Sequence, residues 1–350
     1  MPREHLDHRS LSQENLCRQR SLRRRWSNLG STDVVACSIN VQSRPVVRSL
    51  EAIYQPPPPL ADLHILDLLE LTGSQSKAAE VLAMHQSTVS RSLRMMSQQF
   101  HLQRQRGTTA CRYGSNESLH LLRLSYRAHR LMDGLLRIAT DALHQPLLQG
   151  LGRLQPVPPR FRSAAEWAEL VAQALIDGAI VSSSCHEQAV AQDTPPRWDG
   201  VVTVPLGVLP LQLVSASTTT NRVLLPCRFV TPGLHQAIAC HGLQVEQLPV
   251  ACQELNAWIE HSRDRQLAMP LGLGLLQPDW LQSQDLELLP AQPPLLEQLW
   301  LLLPPGSVHQ SREAQDLIGT LRQRVGEGRG EPGRGSGTFR DRKSATSALS

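Results

Sequence analysis

The chain has 350 residues, 41% of them hydrophobic, and a formal net charge of +4 at pH 7. That length and apolar content suffice for one small and one larger domain with real cores. No run of about 18 uncharged apolar residues occurs, which excludes a membrane-spanning helix, and a charge this small leaves the question of a nucleic-acid partner to where the charges lie.

Residues 1–59 carry Arg23-Arg24-Arg25, show little periodicity and end in Pro56-Pro57-Pro58-Pro59. They read as a disordered basic extension without the apolar core of a signal peptide, and Glu4, Asp7 and Glu14 argue against a transit peptide. Two readings stay open: an arm that adds non-specific DNA affinity, or a start codon placed too far upstream.

Helical periodicity begins at Leu60. Leu63, Leu66 and Leu69 form one apolar stripe, Ala78 and Ala79 suit close helix packing, and Val89, Leu93, Met96 and Phe100 recur on one face of a later helix. Off that last stripe lie Gln86, Ser87, Thr88, Ser90, Arg91 and Arg94, residue types that bond base edges and phosphates. The pattern predicts a helix-turn-helix whose second helix enters the major groove. Lys77 on the first of the two helices counts with the DNA-binding residues, as do Arg104 and Arg106, which with Arg112 form a set from which a wing could contact phosphate, the member left open. From Arg91 to Arg130 the chain places Arg91, Arg94, Arg104, Arg106, Arg112, Arg123, Arg127 and Arg130 against the single acid Glu117, a field that attracts phosphate.

Asn116 to Asp133 is free of proline and reads as one helix. Leu121, Leu124, Ala128 and Leu131 make a seam that suits pairing with an identical helix; packing against the chain's own domain is the alternative. Beyond Gly134 strand-like and helix-like stretches alternate, which argues α/β architecture. Leu135–Ala139 reads as a strand, Thr140-Asp141 as the cap of a helix over Ala142–Leu154 that Pro146 weakens, Glu166–Ile176 as a helix, and Ala179–Val181 as a strand. Val201–Val214, Asn221–Phe229, Glu287–Leu289 and Leu299–Leu303 are β-rich, whereas Pro232–His241, Leu255–His261 and Gln310–Val325 read as helices.

Cys17, Cys37, Cys111, Cys185, Cys227, Cys240 and Cys252 form no Cys-x-x-Cys unit and are odd in number, the usage of a reduced cytosolic protein. Cys185-His186 and Cys240-His241 complete no tetrahedral ligand spacing, so no metal and no cofactor are expected. No phosphate-binding loop, His-Glu-x-x-His or Gly-x-Ser-x-Gly unit is present, and Ser182-Ser183-Ser184-Cys185-His186 reads as a polar loop. An enzyme is not expected.

Gly73-Ser74, Ala78-Ala79, Leu82 and Gln86-Ser87-Thr88-Val89-Ser90-Arg91 stand at the spacing of the DNA-binding domain of LysR-type bacterial transcriptional regulators, which this chain resembles. It departs from the family after the recognition helix, where Phe100–Arg106 and Arg112–Glu117 imply an altered wing. Weaker likenesses at Leu136–Thr140, Leu175–Ile180 and Leu271–Pro278 extend the resemblance to the family's effector domain. The resemblance implies an α/β protein with an all-α winged helix-turn-helix at 60–114, a linker and dimerisation helix at 115–134, a two-lobed periplasmic-binding-protein-like effector domain at 135–325, and a disordered tail at 326–350. The second lobe, near Pro210–Ser262, looks shortened. Thr140, Ser163, Thr231 and Gly272, at strand-to-helix junctions or turns, are the implied effector contacts; the first three also suit plain helix caps, and Gly272 a positive φ.

Together these readings describe a cytoplasmic, nucleoid-associated regulator acting as a homodimer or homotetramer on double-stranded DNA in response to an unknown small molecule. The alternative is a small-ligand or protein-partner binding protein that has lost specific DNA binding.

Overall fold

Helix α1 (Ala61–Thr72) organises the molecule, because every residue from Leu63 to Leu71 is buried. In the computed structural model, which describes residues 56–105, 110–182, 195–217, 219–289, 295–307 and 311–328, this helix belongs to three apolar clusters at once. Leu63 and Leu66 meet Met96, Leu119 and Tyr126; Ile65 and Leu69 meet Ala78, Ala79 and Val89; Leu68 and Leu71 meet Trp167, Ala168 and Val171. The stripe legible in the sequence is thus one of three, and the helix is buried all round, with His64, Asp67 and Glu70 forming a buried polar face between the apolar ones. Gly73 ends it in the left-handed conformation at φ 72°, its N–H donating to Leu69 O.

Helix α2 (Gln75–Val81) starts at Ser74, whose Oγ accepts from Lys77 N at 3.1 Å. A turn through Ala83, at φ 51°, leads to α3 (Gln86–Gln99). Ala78 and Ala79 are buried, so α2 and α3 approach closely. The predicted helix-turn-helix is therefore present. After α3, Gln105 N donates to Arg112 O at 2.9 Å, closing the base of a wing-like loop; Arg106 lies outside the described residues, as do the extension before residue 56, Ser183 to His186, and the tail after residue 328.

Helix α4 (Glu117–Met132) occupies the linker position, capped by Asn116 Oδ1, which accepts from Leu119 N at 2.8 Å. Beyond it come β1 (Ile138–Ala139), α5 (Ala164–Ala172), β2 (Gly178–Ser182), β3 (Val202–Ser215), β4 (Arg222–Leu225), α6 (Pro232–Cys240), β5 (Gln244–Gln247), α7 (Leu255–Asp264), β6 (Met269–Leu271), α8 (Trp280–Ser283), β7 (Glu287–Leu288), β8 (Leu295–Leu303) and α9 (Arg312–Glu327). In the first lobe β1 and β2 run parallel with α5 as the crossover, and β8 and β3 follow antiparallel. In the second, β4 and β5 run parallel with α6 between them, and β4 meets the chain just before β6 at Val223 and Ala268.

Two long strands join the lobes. The start of β3 pairs with the end of β8 (Val202 opposite Leu303), the register shifts between Pro205 and Gly207, and Leu211 then faces Leu295 before β3 passes to β6 and β7. Gly207, at φ 132° with Val325 Cγ1 3.2 Å from where a Cβ would sit, permits that bulge.

Several sequence expectations change here. The helix expected over Ala142–Leu154 is a single 3-10 turn, Gln145–Leu148. Asp141 Oδ1 accepts from Leu143 N and His144 N, and Pro146 offers no N–H, so a helix cannot propagate. The expected strand over Leu135–Ala139 shrinks to β1 plus a bridge from Leu136 to Leu154. The helix expected to run to Ile176 stops at Ala172, where the chain turns through Ala174 at φ 58°. The last helix passes the expected end at Val325 by two residues, to Glu327, and β5 and α8 have no counterpart among the expected elements.

Candidate nucleic-acid interface and ligand cleft

On α3 the inward face holds Val89, Ser92 and Met96, all buried. Ser92 Oγ donates to Asp62 Oδ1 at 2.7 Å and so pins α3 to α1, a role the apolar periodicity does not reveal. Gln86, Ser87, Thr88, Arg91 and Arg94 are exposed, and Ser90 is half-buried. These residues gather on one solvent-facing side of a helix whose axis is fixed from behind, which is the geometry needed to present donors and guanidinium groups to a groove. Arg104 is also exposed, with its guanidinium 5.8 Å from the Tyr113 ring centre.

The wing base is held by Glu70, whose Oε1 accepts from Arg112 N at 2.5 Å and Oε2 from Tyr113 N at 3.0 Å. Burial raises the Glu70 carboxyl above its ordinary range, although those two N–H groups and Arg162 pull the other way.

The basic run from Arg91 to Arg130 divides in two. Arg123 and Arg130 are fully buried and Arg127 is half-buried, each turned to a carboxylate, which withdraws them from the phosphate-attracting field expected from the sequence. Arg123 Nε pairs with Asp67 Oδ1 at 2.8 Å, and Arg137 Nη1 faces Asp67 Oδ2 at 3.5 Å. Arg127 and Arg130 reach Asp177 Oδ1 at 3.2 and 3.1 Å, while Asp177 Oδ2 accepts from Arg137 N at 2.6 Å. Asp177 thus gathers contacts from Arg127, Arg130 and Arg137 at the linker junction. No spacing in the chain announces these partners, which lie far apart in sequence.

His64 completes this junction. Its Nδ1 meets Tyr126 Oη at 2.7 Å and Arg137 Nη2 at 3.2 Å. Because a guanidinium can only donate, Nδ1 is an acceptor and the ring is neutral. Burial, then the charges of Arg137 and Arg130, push its pKa down to about 3. The first lobe grips α1 from its other side too: Arg162 Nη2 donates to Glu70 O at 2.6 Å, Arg160 Nη1 donates to Thr72 O, and a Cβ on Gly73 would strike the Arg160 guanidinium. Cys111 sits in the same region with its thiol pushed up to about 12 by burial, hence inert.

Of the four expected effector contacts, Thr140 and Ser163 make structural hydrogen bonds. Thr140 Oγ1 donates to Ile180 O at 3.2 Å, although Thr140 also borders a small cleft of about 240 Å³. Ser163 and Glu166 form a capping box: Glu166 N donates to Ser163 Oγ and Ser163 N to Glu166 Oε2. Thr231 precedes α6 but makes no cap bond, and its buried Oγ1 has no hydrogen-bond partner among the described residues. Gly272 has φ −81°, so no positive φ explains it; a Cβ there would lie 3.0 Å from Leu209 Cδ2.

A larger cleft, of about 650 Å³, opens elsewhere, bordered by Gln145 and Gln149 of the first lobe, Glu254 and Trp280 of the second, and Lys77 of α2. None of the four expected contacts borders it. Lys77, expected at DNA, bridges Glu80 at 3.0 Å and Glu254 at 2.8 Å, and hydrogen bonds to Glu254 and then Glu80 raise its pKa. Between the lobes, His144 joins Asp141 Oδ1 at 2.9 Å to Glu297 Oε2 at 2.8 Å. Burial opposes charge on this ring, but the two carboxylates outweigh it and push the pKa up to about 10. Among the described residues no group of three or more His, Cys, Asp or Glu side chains is arranged to hold a metal, and no helix is long and apolar enough to cross a membrane.

No family model and no curated protein matches the chain. Among solved structures it is similar to the full-length regulator LysG from Corynebacterium glutamicum with bound effector Arg, at 15% identity over 75% of this chain and 97% of that one, TM-score 0.38. It is similar to ArgP from Mycobacterium tuberculosis at 16% identity over 78% and 98%, TM-score 0.42. It is similar to the regulatory domain of MetR, a LysR family regulator from N. meningitidis, at 15% identity over 55% of this chain and 94% of that one, TM-score 0.40. What this chain is similar to, then, includes regulators of the LysR family, at a level of likeness that leaves every residue's role to its own geometry.

Proposed function

We propose that this chain is a sequence-specific, effector-responsive transcriptional regulator of LysR type, acting in the cytoplasm, at the nucleoid, on double-stranded DNA. The observation that carries the reading is the recognition helix: Gln86, Ser87, Thr88, Arg91 and Arg94 are exposed together while Val89, Ser92 and Met96 anchor the opposite face. Pull-down of genomic fragments followed by a salt series on a recovered fragment tests it. Equal affinity for unrelated sequences would contradict it. Arg91→Ala is expected to weaken specific binding by about 1–3 kcal/mol if it reads a base, or to lower the salt slope by about one if it contacts phosphate; fluorescence anisotropy distinguishes the two, and no change in either would remove Arg91 from the interface.

The regulator acts as a homodimer or homotetramer in this reading. Support comes from α4, where Leu121 and Leu124 are 58% and 39% exposed and Ala128 is exposed beside them, while Leu119, Arg123, Tyr126 and Arg130 face inward. That leaves the expected seam open for an identical helix. Leu131 departs from it by packing partly against the effector domain. Leu124→Glu should shift the protein toward monomer in light scattering and weaken DNA binding without unfolding it.

A further inference from the structure

The 650 Å³ cleft is walled by both lobes and by the helix-turn-helix itself, through Lys77 and Val81 of α2. Lys77 is the one cation among the described residues that border it. Its ammonium is held by Glu80 and Glu254, and both carboxylates are more than half exposed. Loss of the Lys77–Glu254 pair therefore returns Glu254 to water at small cost, because exposed ion pairs contribute little. Gln145 and Gln149 add neutral donors and acceptors to the wall, and the half-buried Trp280 together with Val81, 41% exposed, offers apolar surface for an organic body.

We propose that this cleft binds a small organic carboxylate whose anionic group takes Lys77 over from Glu254, so that a residue of the DNA-binding domain touches the ligand directly. The consequence follows from what holds α2. Ala78 and Ala79, next to Lys77, pack into the recognition-helix core, and α1 behind them is fixed to the first lobe by Arg160 and Arg162. Among the described residues Lys77–Glu254 is the ion pair between α2 and the second lobe. A ligand that breaks it removes that contact between the second lobe and the helix-turn-helix, while the first lobe keeps its hold. Binding energy in the cleft is thus converted into a change in how the DNA-binding domain is constrained.

The inference rests on the reading of the chain as an effector-responsive DNA-binding protein, and the two can fail separately. Full-length protein, without DNA, would be titrated calorimetrically with a panel of short-chain mono- and dicarboxylates, each beside its neutral carboxamide. At least one carboxylate is expected to bind saturably while its carboxamide does not. Lys77→Gln should weaken that binding by about tenfold, and Glu254→Gln, which removes the competing carboxylate, should tighten it. Circular dichroism confirms that both variants, altered at partly exposed side chains, keep the fold. No saturable binding across the panel, or binding indifferent to Lys77→Gln and Glu254→Gln, overturns the proposal. DNA affinity measured on the same samples is a separate readout: its absence would sink the regulator reading and leave a carboxylate site that depends on Lys77.

Discussion

The two buried histidines occupy opposite electrostatic worlds. His64, at the junction of α1, the linker helix and the first lobe, lies among Arg137, Arg130 and Tyr126 and stays neutral, with its pKa near 3. His144, between the lobes, lies between Asp141 and Glu297 and stays charged, with its pKa near 10. Both are buried, so burial alone cannot set the protonation state; the sign of the neighbouring charge decides it. Neither ring titrates near neutral pH in the folded protein, so each acts there as a fixed structural element. One is a neutral acceptor that takes donors from Arg137 and Tyr126, the other a cationic clasp from the β1 turn to strand β8.

The comparison is broken most forcefully at the clasp. His144→Leu leaves Asp141 and Glu297 as buried carboxylates without their cation, and should cost about 3–5 kcal/mol in urea unfolding. A loss under about 1 kcal/mol would mean that the imidazolium carries no weight there. His64→Leu removes a neutral acceptor and leaves the Tyr126 hydroxyl proton unmatched, while Arg137 Nη2 keeps Tyr126 Oη at 3.0 Å, for an expected loss of about 1–3 kcal/mol. A larger loss from His64→Leu than from His144→Leu would overturn the ranking.

The pH dependence sharpens the same contrast, because the two rings act on opposite limbs. His64 binds its proton more weakly folded than unfolded, so its contribution falls as the pH drops from about 6.5 toward 3. His144 binds its proton more tightly when folded. Its contribution is complete below about 6.5 and is lost as the pH rises through about 10. Each limb changes by at most about 1.4 kcal/mol per pH unit from one such group. Unfolding free energies measured across this range should therefore peak near pH 6–7, by about the value at which both rings titrate when unfolded. His144→Leu should flatten the alkaline limb and leave the acid limb, and His64→Leu the reverse.

The buried arginines teach a related lesson about reading charge. In sequence, Arg91 to Arg130 is one basic block facing one acid, and it reads as a single phosphate-attracting field. In the fold it divides: Arg91, Arg94 and Arg104 face solvent, whereas Arg123, Arg127 and Arg130 are drawn inward to Asp67 and Asp177. Periodicity gave a partial warning, since Leu119, Arg123, Tyr126 and Arg130 share one face of α4, opposite Leu121 and Leu124. A mixed face of that kind is easily taken for solvent-exposed surface until its acidic partners arrive from α1 and from the turn before β2. Such buried pairs cost desolvation and offset it only where geometry is good.

Local chemistry was enough to determine the helix-turn-helix. Gly73 and Ser74 mark the end of one helix and the cap of the next, Ala78 and Ala79 mark the close contact, and the spacing of Val89, Leu93 and Met96 marks the face of the recognition helix. These signals act over a few residues, so they are written in the order in which they are used. The alternation of strands and helices after Gly134 likewise revealed the α/β class, though not the collapse of the expected Ala142–Leu154 helix to one 3-10 turn. The partners were left to tertiary structure: that Lys77 pairs with Glu254 beside a cleft, that α1 is buried on every side, and that one histidine is neutral and the other charged. Each of these depends on groups brought together from segments far apart in the chain, and burial strengthens the interactions between them to a degree that no local pattern encodes.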